Sequence, residues 1–492
     1  MAKSAYINGR WSDGKDDWFE KTNPANGETS WDGQACSDDQ VEDAISAARI
    51  AQSVWARRPQ HDRTTILEKY AEEVTKRADA ITEAISRDMG KVAWDAKAEA
   101  GAMAGKIAIS IKAQVERAGT AYSEAAFGSM HLTHRPHGVM AVFGPFNFPG
   151  HLPNGHMVPA LLAGNACVFK PSELAPSVAH IMVEAFEAAG LPEGLVNVVQ
   201  GGRDTGAALL DGDINGLLFT GSAQTGLFFH RHFAGRPEVI LALEMGGNNP
   251  LIIWDPADAD AAADIAAQSA FLTTGQRCSC ARRVILPTGK WGDQVVEAIV
   301  ARAKSLRIGD ATEDDAFMGP LVSEQAAQNA VDFQMMLSKK GGKSLRRLKR
   351  MDRGGGFVTA GVIDVTAATD IPDEELFGPL MQIIRVDDFD QAIQRANDTK
   401  YGLSGGLVSD DDARWLQAHA EMKAGILNRN RPTAGASGAM PFGGPGHSGN
   451  FRPGAYYAAD YCAWPQASQV SDQATRLGAV GFPKQRTHSV AP

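Results

Sequence analysis

Gly216-Leu-Leu-Phe-Thr-Gly-Ser-Ala-Gln-Thr-Gly226 reads as a buried strand over 216–219, a small-residue turn over 221–226, and the start of a helical run. Gly221, Ser222, Ala223, Gln224, Thr225 and Gly226 therefore stand where backbone donors and a helix amino end can face a pyrophosphate. Leu227 follows Gly226, so this is not a nucleoside triphosphate loop, which would continue with Lys and Ser/Thr. Taken alone, such a hexapeptide is more often a plain turn. Its neighbours decide the matter. Short apolar or β-branched runs at 138–143, 166–170, 196–199 and 239–243 surround it, with helical patterns at 177–189 and 205–210 between several of them. Strand–helix alternation of this kind predicts a parallel, doubly wound α/β sheet, in which ligands sit at the carboxyl ends of the strands. Asn147, the 170–173 segment and the 221–226 turn all fall at such ends.

The 492 residues are too many for one ordinary core and predict two or three domains, while 44% hydrophobic and 22% charged residues are the mark of a soluble globular chain. A net charge of −10 gives no reason to expect nucleic acid or an anionic membrane as partner. Five scattered cysteines, at 36, 167, 278, 280 and 462, argue against a disulfide framework and for a reducing compartment. The amino terminus lacks the apolar core of a signal peptide, and the longest apolar region, 157–169, is broken by Pro159, Gly164 and Asn165. The expected location is the cytoplasm.

Earlier in the chain, Asn8-Gly9 predicts a hairpin turn, and the periodicity of 40–112, in segments such as 41–56 and 63–85, predicts helices without clustered chemistry, a scaffold. After Asn248 strands and helices alternate again through Gly425, which predicts a second α/β domain. Three features are set aside. The literal G-x-G-x-x-G at Gly444–Gly449 is followed by Asn-Phe-Arg-Pro rather than by a strand–helix unit. His131, His134 and His137 alternate faces in an extended segment, so no metal site is expected. The seven basic residues between Lys339 and Arg350 have no interleaved aromatics and read as a solvated connection.

The chemistry is expected in Thr273-Thr-Gly-Gln-Arg-Cys-Ser-Cys-Ala-Arg-Arg283. Cys278 follows Gly275, Gln276 and Arg277 and precedes Ser279, a polar setting in which exposure and nearby positive charge favour a thiolate. A cysteine is otherwise more often a small core residue. Glu244, between an apolar run and Gly246-Gly247, supplies a carboxylate that folding can bring to it, giving a nucleophile and a base.

Five motifs in this order, FTGSAQTG at 219–226, LEMGGNNP at 243–250, GQRCSCARR at 275–283, EELFGP at 374–379 and PFGG at 441–444, resemble the aldehyde dehydrogenase superfamily. The resemblance runs from the Asn8-Gly9 turn to the last fifty residues. Within it, GPFNFPGHLPNGHMVPALLAGN at 144–165, KIAISIKA at 106–113 and YYAADYCAWP at 456–465 are similar to the N-succinylglutamate 5-semialdehyde dehydrogenases of arginine breakdown. The resemblance implies an NAD-binding domain over 1–120 and 138–246 and a catalytic domain over 247–446. It also implies a small β oligomerisation extension with the tail, 121–137 and 447–492, and hence a homodimer or homotetramer.

It further implies roles. Cys278 adds to an aldehyde to form a thiohemiacetal that gives up hydride to NAD and leaves a thioester for water to cleave. Asn147 with the Cys278 N–H is the oxyanion site, and Glu244 the base for the thiol, for the water, or for both. Lys170, Ser172 and Glu173 would meet the adenine ribose, where a carboxylate accepts from the hydroxyls and repels a 2′-phosphate, so NAD is expected over NADP. Glu375 would hold the nicotinamide ribose and Phe377 lie near its ring. The substrate pocket is expected among His151, Leu152, Gly155 and Phe442, with Arg282, Arg283, Arg429 and Arg431 as cations for substrate carboxylates. The stretch Asn428-Arg429-Asn430 departs from the aromatic residue that close relatives are expected to carry at Arg429. Other readings are a dehydrogenase for another semialdehyde or small aldehyde, a CoA-acylating enzyme, against which Glu244 argues, and a non-catalytic binding protein on the same fold.

Overall fold

The computed structural model describes residues 2–474 and 479–482; 475–478 and 483–492, within the expected tail, lie outside the described residues. Five strands, Val139–Phe143, Ala166–Lys170, Val196–Val199, Gly216–Gly221 and Ile240–Met245, pair in parallel. Their spatial order runs outward from Val139–Phe143 in one direction through 166–170 and 196–199, and in the other through 216–221 and 240–245. Chain order therefore reverses between Val139–Phe143 and Gly216–Gly221, and both Asn147 and the 221–226 segment follow the strands that flank this crevice. The inner strands are buried along their whole length because helices cover both faces, hence their continuous apolar sequence.

The amino-terminal hairpin, Ala5–Ile7 and Arg10–Ser12, adds two antiparallel strands to this sheet, with Asn8 and Gly9 at φ 50° and 79° as its tight turn requires. A second hairpin, Trp18–Thr22 with Thr29–Gln34, has no counterpart in the sequence-based expectations. The helical region resolves into Asp38–Trp55, Gln60–Lys76, Ala78–Met89 and Ala93–Ala118. The segment expected as one helical stretch over 63–85 breaks at Arg77, whose φ and ψ of −98° and 10° leave the helix. The apolar 157–169 region divides between the helix His151–Ala163 and the strand Ala166–Lys170, and no helix among the described residues is long and apolar enough to cross a membrane.

The second sheet has the order Lys343–Arg346, Gly361–Asp364, Leu380–Val386, Ala281–Pro287, Asn249–Ile253, Ser404–Val408, Ile426–Arg429, and is parallel except at the first edge. Part of the basic run 339–350, expected as a connection, forms that antiparallel edge strand. Arg346 is held by the Ala360 carbonyl. A three-stranded sheet, Ala463–Val470, Gly128–Pro136 and Ala121–Ala125, stands apart from both cores. His131 and His134 lie in its middle strand, bonded to Ser129 and to the Gly119 carbonyl, and no metal-binding group occurs among the described residues.

Candidate active site

The site forms where the two sheets meet end to end. Glu244 is the penultimate residue of Ile240–Met245, at the carboxyl end of the first sheet, and Asn249 opens the next strand at the amino end of the second. The Cys278 turn also precedes a strand of the second sheet, Ala281–Pro287. The first sheet thus offers its carboxyl ends and the second its amino ends. Gly246-Gly247 is the short crossing between them.

Cys278 is half-buried in a turn whose backbone is unusual. Thr273, Thr274 and Gly275 are consecutively left-handed, with φ of 53°, 57° and 72°. β-Branched residues rarely adopt this conformation, and it persists only when the surroundings enforce it. Here they do. Thr273 Oγ1 donates to Asp95 at 2.5 Å, Arg277 bonds both Asp95 and Thr273 at 2.7 Å, and Thr274 donates to the Gly319 carbonyl at 2.9 Å. Asn249 then donates to the carbonyls of Cys278 at 2.7 Å and Cys280 at 2.9 Å, and Asn147 to that of Gln276 at 2.8 Å.

Asn147 is itself fixed from behind. Lys91 Nζ donates to its carbonyl at 2.9 Å and to Glu99 at 2.7 Å, and both of those charged side chains are fully buried. The other Glu99 oxygen accepts from the N–H groups of Gly150 and His151, at the start of the helix His151–Ala163. The Lys91 ammonium and the Arg277 guanidinium both lie over the Phe148 ring, 3.7 and 5.0 Å from its centre. Asp95, Glu99 and Lys106 belong to one buried face of Ala93–Ala118, so a helix expected to be scaffold lines the site. That corrects the reading of 40–112 as free of chemistry.

The thiol environment also differs from expectation. Burial pushes the Cys278 thiol up, as do the Glu375 and Glu244 carboxylates, while Arg282 alone among the named neighbours opposes them. Arg277 does not serve the thiol, being spent on Asp95. A neutral thiol becomes a strong nucleophile only by losing its proton, and the nearby Glu244 carboxyl is shifted in the same direction. Burial raises it to about 8 against the opposing effects of Lys106 and the Gly454 N–H. The strand Gly454–Ala455 is pressed against that carboxylate, so a Cβ on Gly454 would lie 1.6 Å from Glu244 Oε1. Gly454→Ala should therefore displace Glu244 and lower kcat by about 10²-fold, as misplacement of a catalytic group by an ångström does. Steady-state kinetics with a matched thermal melt checks this, and wild-type kcat in the variant would exclude a positioning role.

The 444–449 segment is part of this support. Gly449 bridges Glu244, Asn450 brackets the same strand through Leu243 and Leu241, and the segment is followed by only a two-residue strand, Gly454–Ala455, and a four-residue helix, Ala458–Tyr461, before the outlying sheet. Residues 447–462 hence serve the site as well as leading to the outlying sheet.

At the crevice, Gly221 ends its strand and Ser222 caps the helix Ala223–His232, accepting from the Thr225 N–H at 3.2 Å. The segment expected as a turn is thus strand end, cap and first helical turn. Gly226 is required there because a Cβ would lie 2.2 Å from Met245 Sδ. Lys170 is buried rather than a solvated strand-end lysine, donating to the carbonyls of Pro171 and Gly201 and standing 3.7 Å from Glu173. Glu173 is exposed, and Ser172 accepts from the Leu174 N–H. Exposed carboxylate, adjacent lysine and helix amino end are a donor and acceptor set that fits a dinucleotide.

Glu375 occupies the space a Gly246 side chain would fill, 1.7 Å from its ideal Cβ, and pairs with Arg282 at 3.2 Å. Phe377 packs edge-on to Phe146 at 5.8 Å, joining the 374–379 segment to the Asn147 loop. His151, Leu152 and Gly155 lie half-buried on the helix after Asn147, and half-buried Phe442 forms a two-residue strand paired with Gly454–Ala455.

Three of the four arginines expected to meet substrate, Arg282, Arg283 and Arg429, have partners within the protein. Arg282, 1% exposed, serves the carbonyls of Gly275, Gly378 and Arg277 besides Glu375. Arg283 serves four main-chain carbonyls, at Asn248, Arg395, Asp398 and Ala396. Arg429 pairs with Asp412 and the Ser409 carbonyl, and Arg431 is exposed. Their spacing carries no signal of this; in a parallel strand buried on both faces, arginines are tolerated where main-chain carbonyls satisfy them.

A nucleotide-type crevice joined to a cysteine–carboxylate site at a second sheet defines a class, and comparison with known proteins gives it a name. Residues 11–466 match the aldehyde dehydrogenase family model, and the chain belongs to that family. It is 52% identical over 471 residues to N-succinylglutamate 5-semialdehyde dehydrogenase 2 of Caulobacter vibrioides, covering 95% of this chain and 96% of that one. It is 50% identical over 470 residues, with the same coverage, to the N-succinylglutamate 5-semialdehyde dehydrogenase of Paraburkholderia xenovorans. Among solved structures, a Mycobacterium tuberculosis aldehyde dehydrogenase complexed with NAD+ superposes with a TM-score of 0.90 at 27% identity, over 96% of this chain and 99% of that one.

Proposed function

We propose that this chain oxidises N-succinyl-L-glutamate 5-semialdehyde to N-succinyl-L-glutamate with NAD and water, as an NAD-dependent, non-acylating dehydrogenase of arginine catabolism. The observation that carries the reaction is the convergence of the Cys278 turn, the Asn147 loop and the Glu244 strand end between two sheets. The substrate rests on the names of relatives identical at half their positions over nearly their full length.

In this reading Glu244 takes the proton from the Cys278 thiol, and the sulfur adds to the aldehyde carbon. The oxyanion so formed accepts hydrogen bonds from the Asn147 amide and the Cys278 N–H. NAD, when bound, supplies the hydride acceptor for that adduct. Its adenine ribose would be held by Lys170, Ser172 and Glu173, its pyrophosphate by residues 221–226, and its nicotinamide end by Glu375 and Phe377. Glu173, next to the ribose, favours NAD over NADP. Once that first proton has passed to solvent, Glu244 takes a proton from water as the water attacks the thioester; the C–S bond breaks, the acid is released, and the leaving thiolate takes that proton back from Glu244 to restore the cysteine. Retention of Glu244 favours hydrolysis over transfer to CoA.

The three-stranded sheet, with its outer strand Ala121–Ala125 exposed, supports a homodimer or homotetramer built through it; the few scattered cysteines, all free, suit a reducing compartment such as the cytoplasm. Each domain would comprise the segments 1–120 with 138–246, and 247–446, with 121–137 and 447–492 as the extension. The test is a panel of semialdehydes assayed for NADH formation. N-succinylglutamate 5-semialdehyde should exceed an uncharged aldehyde of similar length in kcat/KM by about 10²-fold or more, the scale on which polar recognition discriminates. A preference for the uncharged aldehyde would refute the substrate while leaving the family untouched.

A further inference from the structure

One ammonium group in this site is enclosed without a partner. Lys106 is 3% exposed and its Nζ has no hydrogen-bond partner among the described residues. The three other buried lysines differ: Lys21 donates to the Val322 carbonyl, Lys91 to Glu99 and Asn147, and Lys170 to Pro171 and Gly201. A buried charge is ordinarily paired or neutralised. Burial does lower the Lys106 ammonium, to about 8, and the Glu244 carboxylate acts in the opposite direction without forming a hydrogen bond to it.

The stem of this lysine is loosely packed on two sides, each bounded by a glycine. A Cβ on Gly155 would meet Lys106 Cε at 3.8 Å and nothing else within 4 Å. A Cβ on Gly438 would meet Ile109 Cδ1 at 3.5 Å and Lys106 Cδ at 3.9 Å. The lysine stem thus runs between the helix that follows Asn147 and the loop that precedes Phe442. His151 adds a second unsatisfied group, since its Nδ1 is buried without a partner. His156 is not available, because its ring nitrogens are taken by Tyr461 and Thr220 at 3.0 Å each.

We propose that Lys106 is the carboxylate anchor of the aldehyde pocket: its Nζ binds a carboxylate carried by the substrate, in the space left by Gly155 and Gly438, while the aldehyde reaches Cys278. This rests on the reading that the aldehyde is an acidic semialdehyde, and it replaces the arginines as the source of positive charge. A lysine suits the task because a compact ammonium on a flexible stem can turn to a ligand, gaining a charge-assisted bond that it lacks in the free protein. An aldehyde without a carboxylate leaves the group unpaired.

The experiment compares wild type, Lys106→Met and Lys106→Arg on three aldehydes: N-succinylglutamate 5-semialdehyde, glutarate semialdehyde, and the methyl ester of glutarate semialdehyde. The expected result is that Lys106→Met lowers the ratio of kcat/KM for acid over ester by about 10²-fold, mainly through KM, and that Lys106→Arg restores part of it. Thermal melting of the free protein should show Lys106→Met at least as stable as wild type, because an unpaired buried charge is removed. Equal losses on acid and ester, a change confined to kcat and its pH profile, or a lowered melting temperature would each overturn the anchor in favour of an effect through Glu244 or on the fold. The two readings fail separately. If wild type prefers acids to the ester, Lys106→Met erases that preference, and N-succinylglutamate 5-semialdehyde is no better than glutarate semialdehyde, the anchor stands and the proposed substrate falls. If wild type strongly prefers N-succinylglutamate 5-semialdehyde and Lys106→Met keeps the acid-to-ester ratio, the reverse holds.

Discussion

Cys278→Ala should leave NADH formation reduced by at least about 10⁴-fold, the scale of losing an attacking nucleophile, whereas Cys280→Ala should keep most of it. The two cysteines are separated by one residue but occupy different environments. Cys278 is half-buried at the junction of the sheets, whereas Cys280 is fully buried with its sulfur 3.8 Å from the Leu272 carbonyl. Removing the Cys280 sulfur costs a small cavity, about 1 kcal/mol, and leaves its own carbonyl bonded to Asn249. A limiting thiol reagent, followed by peptide mapping, should therefore label Cys278 first, and more quickly as pH rises, because burial and two carboxylates hold its thiol neutral. Turnover surviving in Cys278→Ala would remove the thioester route, and loss confined to Cys280→Ala would move the nucleophile by two positions.

The parallel sheet with its crevice was legible because five buried strands have continuous apolar sequences and turns of small residues follow them. Cys278 and Glu244 stand out because their flanking residues are not those of a core, and the fold brings them near enough for the carboxylate to act on the thiol. The charges at Lys91, Asp95, Glu99 and Lys106 form no local cluster, yet the sequence carries a signal for them. Asp95, Glu99, Met103 and Lys106 recur at spacings of three and four, in register with apolar Ala96, Ala100 and Ile107, which places acids and a lysine on the buried face of one helix. The surroundings of Arg282 and Arg283 are not legible for the opposite reason. Their proximity to Cys278 in sequence says nothing about direction, and Arg282 and Arg283 turn into main-chain carbonyls contributed by segments about a hundred residues away. Asn249 lies within the 243–250 motif, yet its work, holding two carbonyls of the cysteine turn, depends on a strand order that local sequence does not encode.

Glu244→Gln is expected to lower steady-state turnover by about 10²–10⁴-fold, the worth of a positioned general base, and at the same time to raise stability. Both effects have one origin. Burial raises the Glu244 carboxyl to about 8 in the folded protein, from an ordinary 4.5. The folded state therefore holds a proton that the unfolded state has released across that interval, so wild-type stability falls as pH rises from about 4.5 to 8. Glutamine is neutral in both states and escapes this penalty. The advantage of the variant should be small near pH 5 and reach about 3 kcal/mol near pH 7, at 1.36 kcal/mol for each pH unit of the interval. The kinetic counterpart is a wild-type rate that climbs through pH 8 as the base ionises, and a variant that lacks this limb. Rapid mixing then separates the two tasks of the carboxylate. A burst of NADH followed by a slow steady rate in Glu244→Gln locates its work in thioester hydrolysis, and a slow rate without a burst locates it in thiol activation. Undiminished turnover together with an unchanged pH profile would remove Glu244 from the mechanism, and a melting temperature that fails to rise with pH relative to wild type would show that the buried carboxyl is not protonated in the free enzyme.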